Sequence, residues 1–300
     1  MYHRFSEDPA ARTVCAKTFA THLDQIERRF DVMSLSAFYR VWREQGEPPA
    51  NAAVITVDDG YLDFADIAWP MLEARGLPAT LFVSTRFADG DFWLWPDKLE
   101  YALFTSEAME LRLEERRFPL ADVAQRWQCF DALCAWFTRI DDEQKHRLIK
   151  MMLDDLAVTM PDQPTADFQA IGWQQLRALA DAGVDIGGHT RTHPVLSRLE
   201  TTALDEEIAG CKTEIEARIG RDIHTFCYPN GQPEDINQAV RDAVQRAGFD
   251  CAVSAYFRHD VLADRFEIKR YSASEHVEQF QKNLDGVEYL SSVLNQRFGI

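Results

Sequence analysis

The chain of 300 residues holds six cysteines, at 15, 129, 134, 211, 227 and 251, and no two of them form a C-x-x-C pair. Several sit inside apolar runs such as "TFCYP" and "DCAVSA", so they read as buried free thiols in a reducing compartment rather than as a disulfide framework. No apolar stretch reaches about 18 residues, which leaves no candidate for a membrane-spanning helix. The opening "MYHRFSEDPAAR" lacks the apolar core of a signal peptide. Together these absences make a cytoplasmic location the expectation, although the abrupt "MYHRF" start leaves room for a trimmed upstream segment. A basic excess is missing too: Lys and Arg number 32 against 49 Asp and Glu, giving a net charge of −17 and a pI near 4.9. That argues against nucleic acid or an anionic membrane as partner. The acidity is spread along the chain, as solubility alone would require. Neither an internal repeat nor a low-complexity tract is present. What remains is ordinary for a globular protein, 46% hydrophobic and 27% charged. A chain of this length can bury a large core without disulfides or a structural metal, and barrels with insertions reach this size as one unit.

From about residue 30, short β-rich runs alternate with longer helical patterns. The strand candidates are 31–35, 52–57, 79–84, 183–188, 224–229 and 250–255; each is continuously apolar, as in strands buried on both faces of a parallel sheet. Helical stretches fall at 37–45, 64–75, 173–182, 202–219 and 233–247. The fourth is clearest: Leu204, Ile208, Cys211, Ile215 and Ile219 form one stripe, with Thr201 or Thr202 to cap it and Gly220 to end it. This alternation predicts an α/β fold built from βαβ crossovers, as an open sheet or a barrel. Residues 88–170 break the rhythm. They hold no convincing strand, carry Trp93, Trp95, Trp127 and Trp136, and read as a helical insertion whose aromatics form its own small core rather than a sugar platform.

Two stretches carry chemistry. In "VITVDDGYLDF", Asp58 and Asp59 stand at the C-terminal end of a strand, the edge where parallel α/β folds build their sites. Side chains alternate along a strand, so the two carboxylates diverge. One can bind a cation while the other, uncoordinated, accepts a proton from water. The blander alternative is a helix cap beside a solvated carboxylate. In "GGHTRTHP", His189 ends another strand, Gly187 and Gly188 let the backbone pass close by, and His193 lies one helical turn on. Alone, H-x-x-x-H is common by chance. With an Asp it becomes a two-His, one-carboxylate set with open positions, suited to zinc, iron, cobalt or nickel.

At this point "TVDDG" (56–60), "HTRTH" (189–193) and "FCYPNG" (226–231) resemble, in order and strand-end placement, the first three motifs of the polysaccharide deacetylases, carbohydrate esterase family 4. The likeness covers most of 1–86 and 170–290. It implies a distorted (β/α)7-type barrel and metal-dependent removal of an N-acyl group, usually acetyl, from a sugar. Position by position, Asp59, His189 and His193 would hold one divalent metal, zinc foremost, and Asp58 would be the general base. The backbone N–H of Tyr228 would stabilise the oxyanion, with Pro229 and Asn230 on the substrate side and residues 190–192 as the spacer that turns the second imidazole back. An N-acetylated glycan or glycan precursor is the implied partner, and the pattern is most similar to bacterial members linked to surface polysaccharides.

Departures are plain. Cys227 stands where many members have arginine, and the late Leu-x-His motif that supplies a general acid is not visible. "IKRYSASEH" (268–276) occupies that region: Arg270 could orient the base, and His276 could be the acid or cap the last helix. His3 is a further candidate lining the site, whereas His22, His146 and His259 read as surface residues. A deformylase or small-amide hydrolase on the same fold, and a catalytically silent carbohydrate-binding protein, remain the alternatives.

Overall fold

The computed structural model describes residues 1–289 except 10, 259 and 288. Its strands are β1 (Phe5–Ser6), β2 (Val14–Cys15), β3 (Asp31–Met33), β4 (Ala52–Val54), β5 (Thr56–Val57), β6 (Thr80–Val83), β7 (Glu110–Leu113), β8 (Arg116–Pro119), β9 (Asp185–Gly188), β10 (Thr225–Cys227) and β11 (Cys251–Val253). The longer helices are α1 (Ala16–Glu27), α2 (Leu35–Gln45), α3 (Trp95–Thr105), α4 (Val123–Phe137), α5 (Asp142–Asp155), α6 (Trp173–Asp181), α7 (Thr201–Ile219), α8 (Gln238–Arg246) and α9 (Val277–Leu284).

All six expected strand regions are extended. The apolar run 52–57 divides at Ile55: β4 pairs with β3, whereas β5 pairs with β6. The central sheet runs β11-β10-β9-β6-β5, all parallel. Parallel bridges add Tyr2 beside Val57 at one edge and Ile268 beside Val253 at the other, giving seven parallel positions. The edges then approach each other, for Met1 N donates to the Tyr271 carbonyl and Ala273 N to the Met1 carbonyl, both at 2.9 Å. The result is the expected distorted barrel, a curled parallel sheet that brings every strand's C-terminal end to one mouth.

Helical boundaries follow local chemistry. The α7 stripe is buried as its period requires, and Gly220 closes it in the left-handed region at φ 75°. Its first turn starts one residue early, with Glu200 as the N-cap position and no side-chain cap, not Thr201 or Thr202. The run 64–75 opens with a wide π turn at Phe64–Ala68, and 233–247 breaks at Ile236 before Asn237 caps α8 with a bond from Val240 N. The sequence reading missed α1, which packs Phe19, His22, Leu23 and Ile26 inward. His22 is therefore buried rather than on the surface: its ring stacks on Phe280 at 3.7 Å and its Nδ1 lies 3.2 Å from the Tyr2 hydroxyl. His146 is half exposed beside Asp142, and His259 lies outside the described residues.

Residues 95–158 build a second hydrophobic core, around Trp95, Leu103, Leu133, Phe137 and Leu148. It contains an antiparallel hairpin, β7–β8, where no strand was expected. The physical reason is visible afterwards: Leu111 and Leu113 alternate with charged neighbours and are fully buried, but the alternation spans only four residues. The chain returns to the barrel by docking on the aspartate turn, with Ile171 N donating to the Gly60 carbonyl and Leu62 N to the Gln169 carbonyl. The six cysteines are free, five of them buried. Among the described residues no helix is long and apolar enough to cross a membrane.

Close packing at the mouth is strictest at Gly187. A Cβ there would stand 2.5 Å from a Phe82 ring carbon and 2.6 Å from Thr225 Oγ1, on the two strands flanking β9. Gly187→Ala should therefore cost about 1–3 kcal/mol of stability through overpacking, measured as a shift in the urea midpoint at unchanged m-value.

Candidate active site and metal centre

The site starts from a turn. After β5, Asp58 N still donates to the Tyr2 carbonyl at 3.0 Å, but Asp59 adopts φ 75° and Gly60 φ 92°. Aspartate is one of the few L-residues that visits this left-handed region readily. The reversal turns the adjacent carboxylates toward different partners, as strand alternation led us to expect.

Asp59 faces the histidines. Its Oδ1 lies 3.2 Å from His189 Nε2 and 3.3 Å from His193 Nε2, with the two rings at 68° and 4.9 Å between centroids. These are close approaches without hydrogen bonds, since Asp59 Oδ1 has no hydrogen-bond partner among the described residues. His189 Nδ1 lies 2.8 Å from the Cys227 carbonyl. A carbonyl can only accept, so Nδ1 carries the proton and the Nε2 lone pair points at the carboxylate. Lone pairs converging in a buried space repel unless a cation lies between them. The donor set thus fits a divalent metal; the tautomer of His189 is fixed as a ligating histidine needs, while His193 Nδ1 has no partner among the described residues.

The expected helical turn between the histidines is absent. Residues 189–193 form a loop with Thr190 at φ 66° and His193 at φ 59°, because Thr190 Oγ1 accepts from His193 N at 3.0 Å and closes the loop on itself. Glu207 of α7 then pins the spacer, accepting from Arg191 N, Thr192 N and Thr192 Oγ1 at 2.7–2.9 Å.

Asp58 faces the other way, into a guanidinium. Arg270 donates to both its oxygens at 2.8 Å and also to the Ser254 carbonyl, Thr56 Oγ1 and Cys227 Sγ. Both residues are buried. Burial alone would raise the Asp58 carboxyl; the charge and hydrogen bonds of Arg270 hold it well below the ordinary range, so it is ionised. Cys227, standing where arginine was expected, leaves the space that Arg270 fills from the edge of β11. His3 is the half-exposed neighbour, its Nε2 3.8 Å from Asp58 Oδ2.

The remaining candidates divide. Tyr228 and Asn230 line the cleft; Pro229 does not, and instead accepts from Gly231 N at 2.6 Å within the turn. The Tyr228 N–H donates to the Val253 carbonyl at 3.2 Å, so an oxyanion would have to compete for it. Asn230 Nδ2, in contrast, is buried with no partner among the described residues. His276 does not line the cleft; it precedes α9 as the N-cap residue, with no side-chain cap bond.

The cleft has a volume of about 1010 Å³ and extends from the histidines to the insertion. Tyr61 and Asp97, which sequence reasoning did not single out, form its middle, joined by a 2.6 Å hydrogen bond from the phenol. Burial pushes the Asp97 carboxyl up to about 8, against the opposing effects of Tyr61 and Arg4 and with help from Asp59 and Glu100. The only signal was position: Tyr61 follows the aspartate motif directly, and "WPDKLEY" opens the insertion.

A curled parallel sheet carrying two aspartates and two histidines at its C-terminal mouth defines the class, an α/β barrel with a candidate hydrolytic metal centre. The chain belongs to the polysaccharide deacetylase family, whose profile it matches over residues 45–252. Similar solved structures include the Streptococcus pyogenes deacetylase PplD in complex with acetate, at 15% identity and TM-score 0.60 over 94% of this chain and 95% of that one. IcaB from Ammonifex degensii gives 14% identity and TM-score 0.61 over 95% and 94%. A de-N-acetylase from Aggregatibacter actinomycetemcomitans gives 16% and 0.56 over 93% and 97%. At these identities the likeness is one of fold. No protein of curated function matches the chain.

Two stability predictions follow from the buried charges. Arg270→Met leaves Asp58 charged and unpaired and should cost about 3–5 kcal/mol in denaturant unfolding, with part of the loss recovered in the Asp58→Asn/Arg270→Met double variant. Folded Asp97 keeps its proton up to about 8, whereas the unfolded chain releases it near 3.8. Between those values the native state binds more protons, so this group's contribution to stability falls as pH rises. Asp97→Asn should therefore raise the thermal midpoint over wild type at pH 8, by an amount that shrinks toward pH 4.

Proposed function

We propose that the chain removes the acetyl group from an N-acetylated sugar unit of a glycan or glycan precursor, using a divalent cation held by Asp59, His189 and His193. The observation that carries this reading is the convergence of two imidazole nitrogens and one carboxylate oxygen at 3.2–3.3 Å without hydrogen bonds, beside a second, ionised carboxylate. When bound, the cation would polarise the amide carbonyl and lower the pKa of water. Zinc is the first expectation for this donor set, with cobalt, nickel and iron as the other fits.

The protein's own groups do the rest. Asp58 is ionised at neutral pH because Arg270 holds it so, and it accepts the proton of the attacking water. The same guanidinium makes it a weak base, so it works only on water already acidified. Arg270 fixes both carboxylate oxygens, leaving Asp58 no freedom to swing toward the cation's place. Asn230 Nδ2 is the free donor at the mouth and would hold a substrate oxygen. The leaving amine needs a proton, and we assign its delivery to His3, half exposed with Nε2 3.8 Å from Asp58 Oδ2.

The test is acetate release from N-acetylglucosamine oligomers by zinc-loaded protein, with and without chelator, alongside formylated and non-sugar amides. Chelation should abolish release. Asp58→Asn should retain the metal and lose roughly 10²–10⁴-fold in kcat, whereas Asp59→Ala should lose the metal by elemental analysis. Chelator-insensitive turnover, or turnover of non-sugar amides only, sinks the proposal.

A further inference from the structure

The cleft is larger than a single acetylated sugar needs, and its composition changes away from the metal centre. Beyond Tyr61 it runs between the N-terminal loop and the insertion, ending at Tyr101, Phe104, Trp127 and Phe130. Trp127 leaves the insertion's core to do this, with Phe104 at 4.5 Å and Phe130 at 5.5 Å between ring centroids. This corrects the reading of that tryptophan as core. The walls of this arm are acidic. Glu7, Asp66, Glu100 and Asp167 line it, and none makes an ion pair among the described residues. The arm's two arginines are already engaged, Arg4 with Asp63 at 2.8 Å and Arg12 with Asp131 at 3.3 Å. Asp97, only 4% exposed, accepts the Tyr61 hydroxyl with one oxygen and keeps Oδ2 without a partner among the described residues. A buried carboxyl oxygen with no partner in the chain is satisfied by a polar group from outside it.

We propose that this arm binds amino-sugar units that carry free ammonium groups, so that the substrate is a partly de-N-acetylated, cationic glycan chain. This rests on the proposed deacetylase reading, because such units are what the reaction itself leaves behind. Each ammonium supplies the positive charge that the acidic walls lack, while a sugar hydroxyl, donor and acceptor alike, meets Asp97 Oδ2. The aromatic end offers sugar rings the apolar surface that Arg12, 4.5 Å over the Trp127 ring, leaves open. A chain bound this way keeps its finished units in the arm while an acetylated unit lies at the metal centre.

The experiment is calorimetric binding to zinc-loaded wild-type protein of a glucosamine pentamer with all amines free, of glucosamine itself, and of a neutral glucose pentamer. The glucosamine pentamer should bind at least tenfold more tightly than either comparator and weaken at least tenfold on raising salt from low to high. Asp66→Asn/Glu100→Gln should lose tenfold or more for the amine-bearing pentamer while binding the neutral one as wild type does. Trp127→Ala should weaken both pentamers and Trp127→Phe restore most of the loss. Equal affinity for the neutral pentamer, or unchanged binding in the double variant, overturns the inference. Absence of acetate release with amine-selective binding intact would instead overturn the deacetylase reading and leave the arm standing.

Discussion

The geometry of this molecule hangs on one buried ion pair, Arg270 with Asp58. Two charges in a space this dry cost several kcal/mol each to desolvate, and only good geometry with further hydrogen bonds offsets that. Arg270 has both: two bonds to the carboxylate, and others to Ser254, Thr56 and Cys227. Those partners come from β5, β10 and the end of β11, so the guanidinium ties the two sides of the barrel mouth. The same pair makes Asp58 an anion at any working pH. The stability of the barrel mouth and the proposed base chemistry of Asp58 therefore rest on one interaction, and it cannot be weakened for one without the other.

A second constraint is backbone strain gathered at the same edge. Of seven described non-glycine residues at positive φ, four are Asp59, Thr190, His193 and Asn230, where each such residue costs about 1–3 kcal/mol. The concentration explains why Glu207 receives three bonds from a loop it does not belong to. Strain of this kind persists only where neighbours over-determine the conformation. Here it delivers two imidazoles to one carboxylate from a five-residue segment too short to be a helix.

Much of this was legible in the residues. The six strand regions show in continuous apolar runs, and the motif residues sit at strand ends where chemistry would use them. What escaped did so for physical reasons. An H-x-x-x-H spacing is the same on a helix and in a tight loop, and only the Thr190 hydroxyl decides. The β7–β8 hairpin alternates over too few residues to separate from helix. His22 is polar by type but sits on the inner face of α1, where a stacked Phe280 covers it. Arg270 did not escape: read as able to orient the base, it meets Asp58 and reaches Cys227, the position where arginine was expected.

Spread along the chain, the net charge of −17 says solubility, yet folding collects several of its carboxylates along one arm of one cleft. Tyr61 is the joint between that arm and the candidate metal centre. Its backbone follows the Asp59 turn, its ring carries the Arg4 guanidinium at 4.1 Å, and its hydroxyl ends on Asp97 of the insertion. Gly60 and Leu62 on either side are hydrogen-bonded to the segment that returns from the insertion. The insertion therefore bears on the site in two ways, by lining the cleft and by fixing the turn that aims the two aspartates. A change in the insertion that moved Tyr61 would reach Asp59 through two peptide units, so the shape of the cleft and the geometry of the candidate metal site are coupled in this chain.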